Sequence, residues 1–285
     1  MTLGLDAGFA AACVALCPGF VAEPGTLRAR KSALLCGRVD GEPVVAKRVA
    51  RPNAVWSWYL AREIAIYRAF AAAPPEFRVP RLVAASGDLL VIERLPGAPL
   101  GARRRPAAAL DEPTLRAFVT LRARLAAWSA PETPAPTAAV RGQLRERLLE
   151  DPTDPDWIAG GLARAGRRGL ISPTLAARLT ELLAPARATC HGDLLLRNVL
   201  GDAGGLAVVD WECAGMYPCD WDLALLWTQL AAPSRVVLAS LIDAGPPFFA
   251  LCAFALVREL RFEAAYGRIS ADLRAELAAL TATLG

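Results

Sequence analysis

The stretch CHGDLLLRNVLGDAGGLAVVDWE, residues 190–212, holds the only histidine of the chain, one of its two asparagines, and an apolar run that ends in Asp210. Asp193 stands five residues before Asn198, and Asp210 twelve residues after it. Transfer of a phosphoryl group from a Mg-nucleotide needs this grouping. One carboxylate orients a hydroxyl and takes its proton, while a second carboxylate and an amide oxygen hold hard Mg2+. Asp193 fits the first role, and Asn198 with Asp210 fits the second. Each residue taken alone reads equally well as a polar turn or a strand end, so the case depends on partners elsewhere.

Lys47 is such a partner. It stands beside Arg48 in the strand pattern VVAKRV, where a charge needs a reason, and Glu63 follows sixteen residues later as an ion-pair partner. A compact ammonium reaches phosphate oxygens and pairs with a carboxylate in ways that the guanidinium fork does not. The composition sharpens the point. The 32 basic residues are 30 Arg and two Lys, Lys31 and Lys47, and the asparagines are Asn53 and Asn198. In an Ala- and Arg-rich chain of the kind high-GC coding produces, positions that keep a rare type are candidates for chemistry no substitute performs.

The elements that must position these residues follow from periodicity. SALLCGRVDGEPVVAKRVA is two strands around Asp40-Gly41, a hairpin signature. AVWSWYLAREIAIYRAF predicts a helix over 54–72 that carries Glu63 and stops at Pro74-Pro75. RLVAAS and LLVIERL are two further strands, and LPGAPLGARRRP is a connector. Helices are expected at 111–129, 139–149, 155–168, 173–184 and from 219 onward, with the HGD loop and two short strands between. The expected fold class is α+β, two-lobed, with a small strand-rich lobe over residues 1–96 that binds nucleotide. A larger helical lobe over 97–285 carries the loop, the metal site and the acceptor pocket.

HGDLLLRNVL, VVDWE, the lysine of VVAK, the helix glutamate and LLVIERLPG together resemble the aminoglycoside phosphotransferase family of kinase-like enzymes. The resemblance runs from residue 20 to residue 230 and is most specific over 190–224. It implies a protein-kinase-like fold that moves the γ-phosphate of ATP or GTP, with Mg2+, onto a small-molecule hydroxyl. By the resemblance, Asp193 is the base and Asn198 and Asp210 hold the metal. Lys47, held by Glu63, touches the α- and β-phosphates. The backbone carbonyl of Glu93 and the N–H of Leu95 grip the base, and Asp222 ties down the catalytic loop. Two departures from protein kinases stand out: no G-x-G-x-x-G precedes the first strands, and DWE replaces DFG. The phosphate loop of this family depends less on glycine and here falls at RARKS, with Lys31 and Ser32. That segment reads equally as an exposed hairpin tip.

The acceptor is less legible. LLEDPTDPDW gathers Glu150, Asp151, Asp154 and Asp156, an acidic segment of the kind that faces cationic antibiotics in this family. Helix capping is the competing reading. Glu212 is a further candidate for meeting a substrate amine. Glu259 and Glu263, four apart on one helix, are weaker ones and suit a solvated face. The expected activity is O-phosphorylation of a cationic aminoglycoside or a basic cyclic peptide such as capreomycin or viomycin, for resistance or self-protection. Kinases of choline, homoserine or a sugar are the alternative, and an inactive nucleotide-binding module a remoter one.

Other classes are excluded by what the sequence lacks. Net charge is +4 with Arg scattered, which gives no nucleic-acid groove. Seven cysteines without C-x-x-C spacing and one histidine give no zinc set. No G-x-S-x-G elbow serves a hydrolase, and no uncharged run reaches transmembrane length. A cytoplasmic, monomeric or weakly dimeric protein without membrane contact is expected.

Overall fold

Val39 faces Glu42 across a two-residue turn at Asp40 and Gly41, whose φ values of 52° and 86° are both positive. This is the geometry that matches the twist of paired strands, and glycine adopts it without a Cβ penalty. The hairpin, β3 (Ser32–Val39) and β4 (Glu42–Val49), is the centre of an antiparallel sheet ordered β1-β3-β4-β6-β5. The other strands are β1 (Phe20–Ala22), β5 (Leu82–Ala85) and β6 (Leu89–Glu93), with β2 (Arg28–Ala29) pairing β3. The computed structural model describes residues 3–29, 31–51, 53–101, 108–147, 149, 151–154, 156–183, 186–265 and 271–284.

Side chains alternate across a strand, and the alternation sorts the hairpin into two faces. Ala33, Leu35, Val44 and Ala46 join Phe9 and Cys13 of α1 (Leu3–Leu16), and Cys17 just after it, in one apolar cluster. Lys47 points to the other face, level with Leu34 and Leu90. There the packing partner is α2 (Ala54–Ala72), whose first N–H groups at Val55 and Trp56 donate to the Asn53 side chain. The chain turns extended at Ala73, ahead of the two prolines. Asn53, one of the two rare asparagines, is therefore a helix cap.

By contacts the chain forms two compact units. The first comprises residues 1–98, 130–144 and 200–213, and the second residues 99–129, 145–199 and 214–285. The sheet, α1 and α2 belong to the first unit, together with most of the hairpin of β9 (Val199–Asp202) and β10 (Gly205–Val208). Strand β7 (Ala98–Pro99) and helix α4 (Ala138–Arg147) cross the borders between units. The second unit is built from α3 (Glu112–Ala127), α5 (Trp157–Arg167) and α6 (Pro173–Leu182), followed by α7 (Trp221–Trp227), α8 (Ala232–Leu241), α9 (Pro246–Ala265) and α10 (Ala271–Ala282). It also contains an antiparallel pair, β8 (Arg187–Cys190) with β11 (Gly215–Pro218). The α+β class expected from the sequence, strand-rich then helical, is the one observed. Among the described residues no helix is long and apolar enough to cross a membrane.

Loss of the α2 cap is the simplest test of this account. Asn53→Ala should lower unfolding free energy by about 1 kcal/mol, and Asn53→Asp should retain most of it, measured by denaturant titration.

Candidate active site

In the first unit the charged residues picked out by sequence meet on the α2 face of the sheet. Lys47 is 6% exposed, and three carboxylates surround its Nζ: Glu63 Oε2 at 2.6 Å, Asp210 Oδ1 at 2.5 Å and Glu212 Oε2 at 3.3 Å. A buried ammonium is tolerated only with such pairing. Burial pulls the Lys47 pKa down, but Asp210, Glu63 and Glu212 outweigh it, so the group lies well above its ordinary value and stays charged. Burial pushes Glu63 up to about 7 against the pull of Lys47, and the neighbouring charges of Asp210 and Glu212 add to the rise.

Lys31 joins the same network. Its ammonium donates to Glu212 Oε1 and lies 5.7 Å above the Trp56 ring, while its side chain remains 39% exposed. Burial lowers the Lys31 pKa, and Glu212 and Asp210 more than reverse the effect. Ser32 opens β3 beside it, half-buried and opposite Val49. Glu212 thus bridges both lysines of the chain.

The segment that carries these carboxylates is fixed by aromatic packing. Trp211 is fully buried, stacks on Phe77 at 5.5 Å and meets Phe70 edge-on at 4.9 Å. Its indole N–H donates to Val208 O at 3.0 Å. Arg62, also buried, donates to Glu212 O at 3.3 Å and to Thr133 Oγ1. Asp210 between these anchors has φ 68°, a left-handed backbone that a non-glycine residue adopts at a cost, and such outliers gather at functional sites.

Oxygens of Glu63, Asp210 and Glu212 lie within 4.8 Å of one another. The Lys47 ammonium bonds all three carboxylates and is the cation they surround. At the sheet end, the Glu93 carboxylate accepts from Arg81 N at 3.1 Å. Arg94 grips Glu23 through two bonds of 2.6 and 2.8 Å and donates its N–H to Pro43 O at 2.9 Å. These contacts brace the segment that includes Leu95, which is half-buried.

In the second unit the HGD loop leaves β8 at Cys190, opposite Gly215 of β11. Asp222, 1% exposed at the start of α7, accepts from His191 N at 2.6 Å and Gly192 N at 2.9 Å. Burial raises the Asp222 pKa, while His191 and these amides oppose the rise. Gly192 has φ 82°, and its carbonyl accepts from the Trp221 indole at 3.0 Å. The buried His191 ring accepts from Asp193 N at 3.3 Å through Nδ1. The single histidine is therefore a loop-shaping residue.

Asn198 donates to Asp193 O at 2.9 Å and to Asp193 Oδ2 at 3.3 Å. Its N–H groups face Asp193, so the side-chain oxygen is the atom suited to a hard cation. Gln229 holds the next turn, accepting from Leu196 N at 2.9 Å.

The acidic segment is partly structural. Asp151 is buried and accepts from Thr153 N and Oγ1, and Asp154 Oδ1 accepts from Asp156 N at 3.0 Å. Asp156 precedes α5 without a side-chain cap bond. Glu150 lies outside the described residues. Asp151, Asp154, Trp157, Arg187, Met216 and Tyr217 help line a small depression of about 10 Å3, the size of one water.

Sequence reasoning missed Arg258, whose guanidinium Nη2 lies 2.6 Å from Asp193 Oδ1. The signal was present: Arg258 breaks the apolar helical run FFALCAFALV, as Lys47 breaks its strand. Arg62 was missed in the same way.

The phosphotransferase enzyme family model (APH) matches residues 36–280. No curated protein matches the chain by sequence. Among solved structures, macrolide 2'-phosphotransferase MphH from Brachybacterium faecium is similar at TM-score 0.62 and 21% identity, covering 96% of this chain and 97% of that one. Aminoglycoside phosphotransferase APH(4)-Ia is similar at TM-score 0.62 and 16% identity, over 99% and 98%. A Plasmodium vivax ethanolamine kinase is similar at TM-score 0.56 and 8% identity, over 93% and 81%. The likeness extends the α+β class to the kinase-like fold of these enzymes.

The loop geometry carries a prediction. Asp222→Ala strips two buried N–H donors of their acceptor and should cost about 3 kcal/mol in denaturant unfolding. Amide exchange at His191 and Gly192 should accelerate well beyond the global change.

Proposed function

Since the chain belongs to the phosphotransferase enzyme family, we propose that it moves the γ-phosphate of a Mg-nucleotide onto a hydroxyl of a small amine-bearing antibiotic. The observation that carries this reading is Asp193, a carboxylate on a loop braced by Asp222, with Asn198 beside it. Asp193 takes the acceptor's proton as the hydroxyl oxygen bonds to the γ-phosphorus and the bond to the β-phosphate bridge oxygen breaks. Lys47, oriented by Glu63, binds phosphate oxygens, and Lys31 with Ser32 covers them. Glu93 O and Leu95 N–H bind the base. Asn198 and Asp210 would hold Mg2+, which would neutralise phosphate charge. Positioning and fixed charge supply most of the acceleration.

Solved relatives support the nucleotide and acceptor classes. A complex of APH(2")-IIia holds GDP and kanamycin, and mutants of APH(4)-Ia hold ADP or AMP-PNP with hygromycin B. Two arginines, Arg258 and Arg197, lie at the Asp193 carboxylate, at 2.6 and 3.5 Å. These two guanidiniums disfavour an acceptor ammonium next to the transferred hydroxyl. The kinase-like neighbour that acts on ethanolamine favours a second reading, phosphorylation of a metabolite amino alcohol.

A nucleotide-turnover screen against aminoglycosides, macrolides, basic cyclic peptides and amino alcohols separates these readings. Absence of turnover above background with every class would refute both. Asp193→Ala should lower kcat by at least about 100-fold with nucleotide affinity preserved. Asp210→Ala should lose the Mg2+ dependence of nucleotide binding, read by titration calorimetry, and Lys47→Ala should raise nucleotide KM more than acceptor KM.

A further inference from the structure

A base that accepts a substrate proton has no evident need for a guanidinium on one of its oxygens, yet Arg258 provides one. The Arg258 and Asp193 side chains are 8% and 10% exposed, and the Nη2–Oδ1 distance is 2.6 Å. The two oxygens of Asp193 are unequally held. Oδ1 carries this short charge-assisted bond, whereas Oδ2 has longer contacts, to Asn198 Nδ2 at 3.3 Å and Arg197 Nη2 at 3.5 Å. Short bonds between charged partners are the strong ones. The carboxylate is thereby anchored through Oδ1.

The mount of Arg258 is rigid. It projects from α9, where every residue from Ala250 to Val257 is buried. One turn earlier, Phe254 packs edge-on against Trp157 at 5.1 Å and tilted against Trp221 at 5.7 Å. Trp221 in turn donates to Gly192 O, one residue before Asp193. The helix and the loop are thus referenced to one aromatic cluster, which fixes the guanidinium against the carboxylate.

We propose that Arg258 is a positioning residue for phosphoryl transfer: it locks the Asp193 side chain through Oδ1 in the orientation that receives the acceptor proton. The proposal rests on the reading of Asp193 as the base. Arg258 acts through Asp193. Its effect belongs to the chemical step and not to nucleotide binding.

Full-length wild type, Arg258→Ala, Arg258→Lys and Asp193→Ala are compared with the acceptor found in the turnover screen. Misplacement of the base should lower kcat of Arg258→Ala by about 100-fold, with nucleotide KM unchanged. Added guanidinium chloride at a non-denaturing concentration should restore part of that kcat and none of the Asp193→Ala loss. Arg258→Lys keeps the charge without the fork and should fall between. If Arg258→Ala does not fold, Arg258→Lys decides, because wild-type kcat in that variant overturns positioning by the fork. A kcat within twofold of wild type in Arg258→Ala overturns the proposal. So does a faster enzyme, which would make Arg258 a block on the base, or a loss in nucleotide KM that guanidinium does not rescue. A thermal double-mutant cycle needs no activity. The Arg258→Ala shift should be larger in the Asp193 chain than in the Asp193→Ala chain, and equal shifts overturn the pair. If wild type is inactive on every acceptor, the proposed function fails while this cycle still decides whether Arg258 holds Asp193.

Discussion

A buried ammonium cannot stand in an apolar strand face without anionic partners, and Lys47 fixes the arrangement of the first unit through that constraint. Its residue exposure is 6%, and its desolvation is offset only by carboxylates within hydrogen-bond reach. One comes from α2, which must therefore cross the sheet with Glu63 inward. Two come from the segment after β10, which must bend so that Asp210 and Glu212 both return to the same nitrogen. The left-handed backbone at Asp210 and the Trp211 anchor accomplish that bend. Three carboxylates against two lysines leave the cluster one negative charge in excess when all are ionised.

The second unit solves the inverse problem, that of burying carboxylates. Asp222 is satisfied by two backbone N–H groups, and Asp193 by a guanidinium and an amide. The two solutions have different consequences. Backbone donors fix the path of the chain, so Asp222 determines the shape of the loop. Side-chain donors fix the direction of a carboxylate, so Arg258 and Asn198 determine where the oxygens of Asp193 point.

Much of this was legible in the sequence where a local rule and the fold agree. Asp40-Gly41 sets the hairpin register, and with it the face that Lys47 occupies. The helix over 54–72 has the expected ends because Asn53 caps it and the prolines follow. Less legible were features made by pairing across long separations. Strands β8 and β11 have four residues each and acquire meaning only from each other. The end of the apolar run FFALCAFALV marked Arg258 as unusual, but its partner Asp193, 65 residues earlier in the chain, is not visible locally. Glu212 illustrates the same limit. Two residues beyond Asp210, it was read as facing an acceptor amine, and its observed neighbours are Lys31 and Lys47. The acidic segment conceals its state for another reason: the same Asp types that attract cations also make the turns that Asp151 and Asp154 form.

The division between lysine and arginine in this chain follows from geometry. Around Lys47 three carboxylates approach one nitrogen from different directions, which a compact ammonium with three rotatable donors permits. A planar guanidinium spreads its donors over a fork and could not bring all three carboxylates to one point. Arg62 and Arg258 face the opposite demand. Arg62 spans from Glu212 O to Thr133 while lying over the Trp58 ring at 5.1 Å, and Arg258 must hold one oxygen in one direction. Both tasks favour the fork. A composition that uses arginine almost everywhere therefore keeps lysine where convergence on a point is needed, and it spends buried arginines where direction is needed. That rule accounts for Lys47 and Arg258 alike, since each is a charge inside an apolar run whose type is set by the shape of what surrounds it.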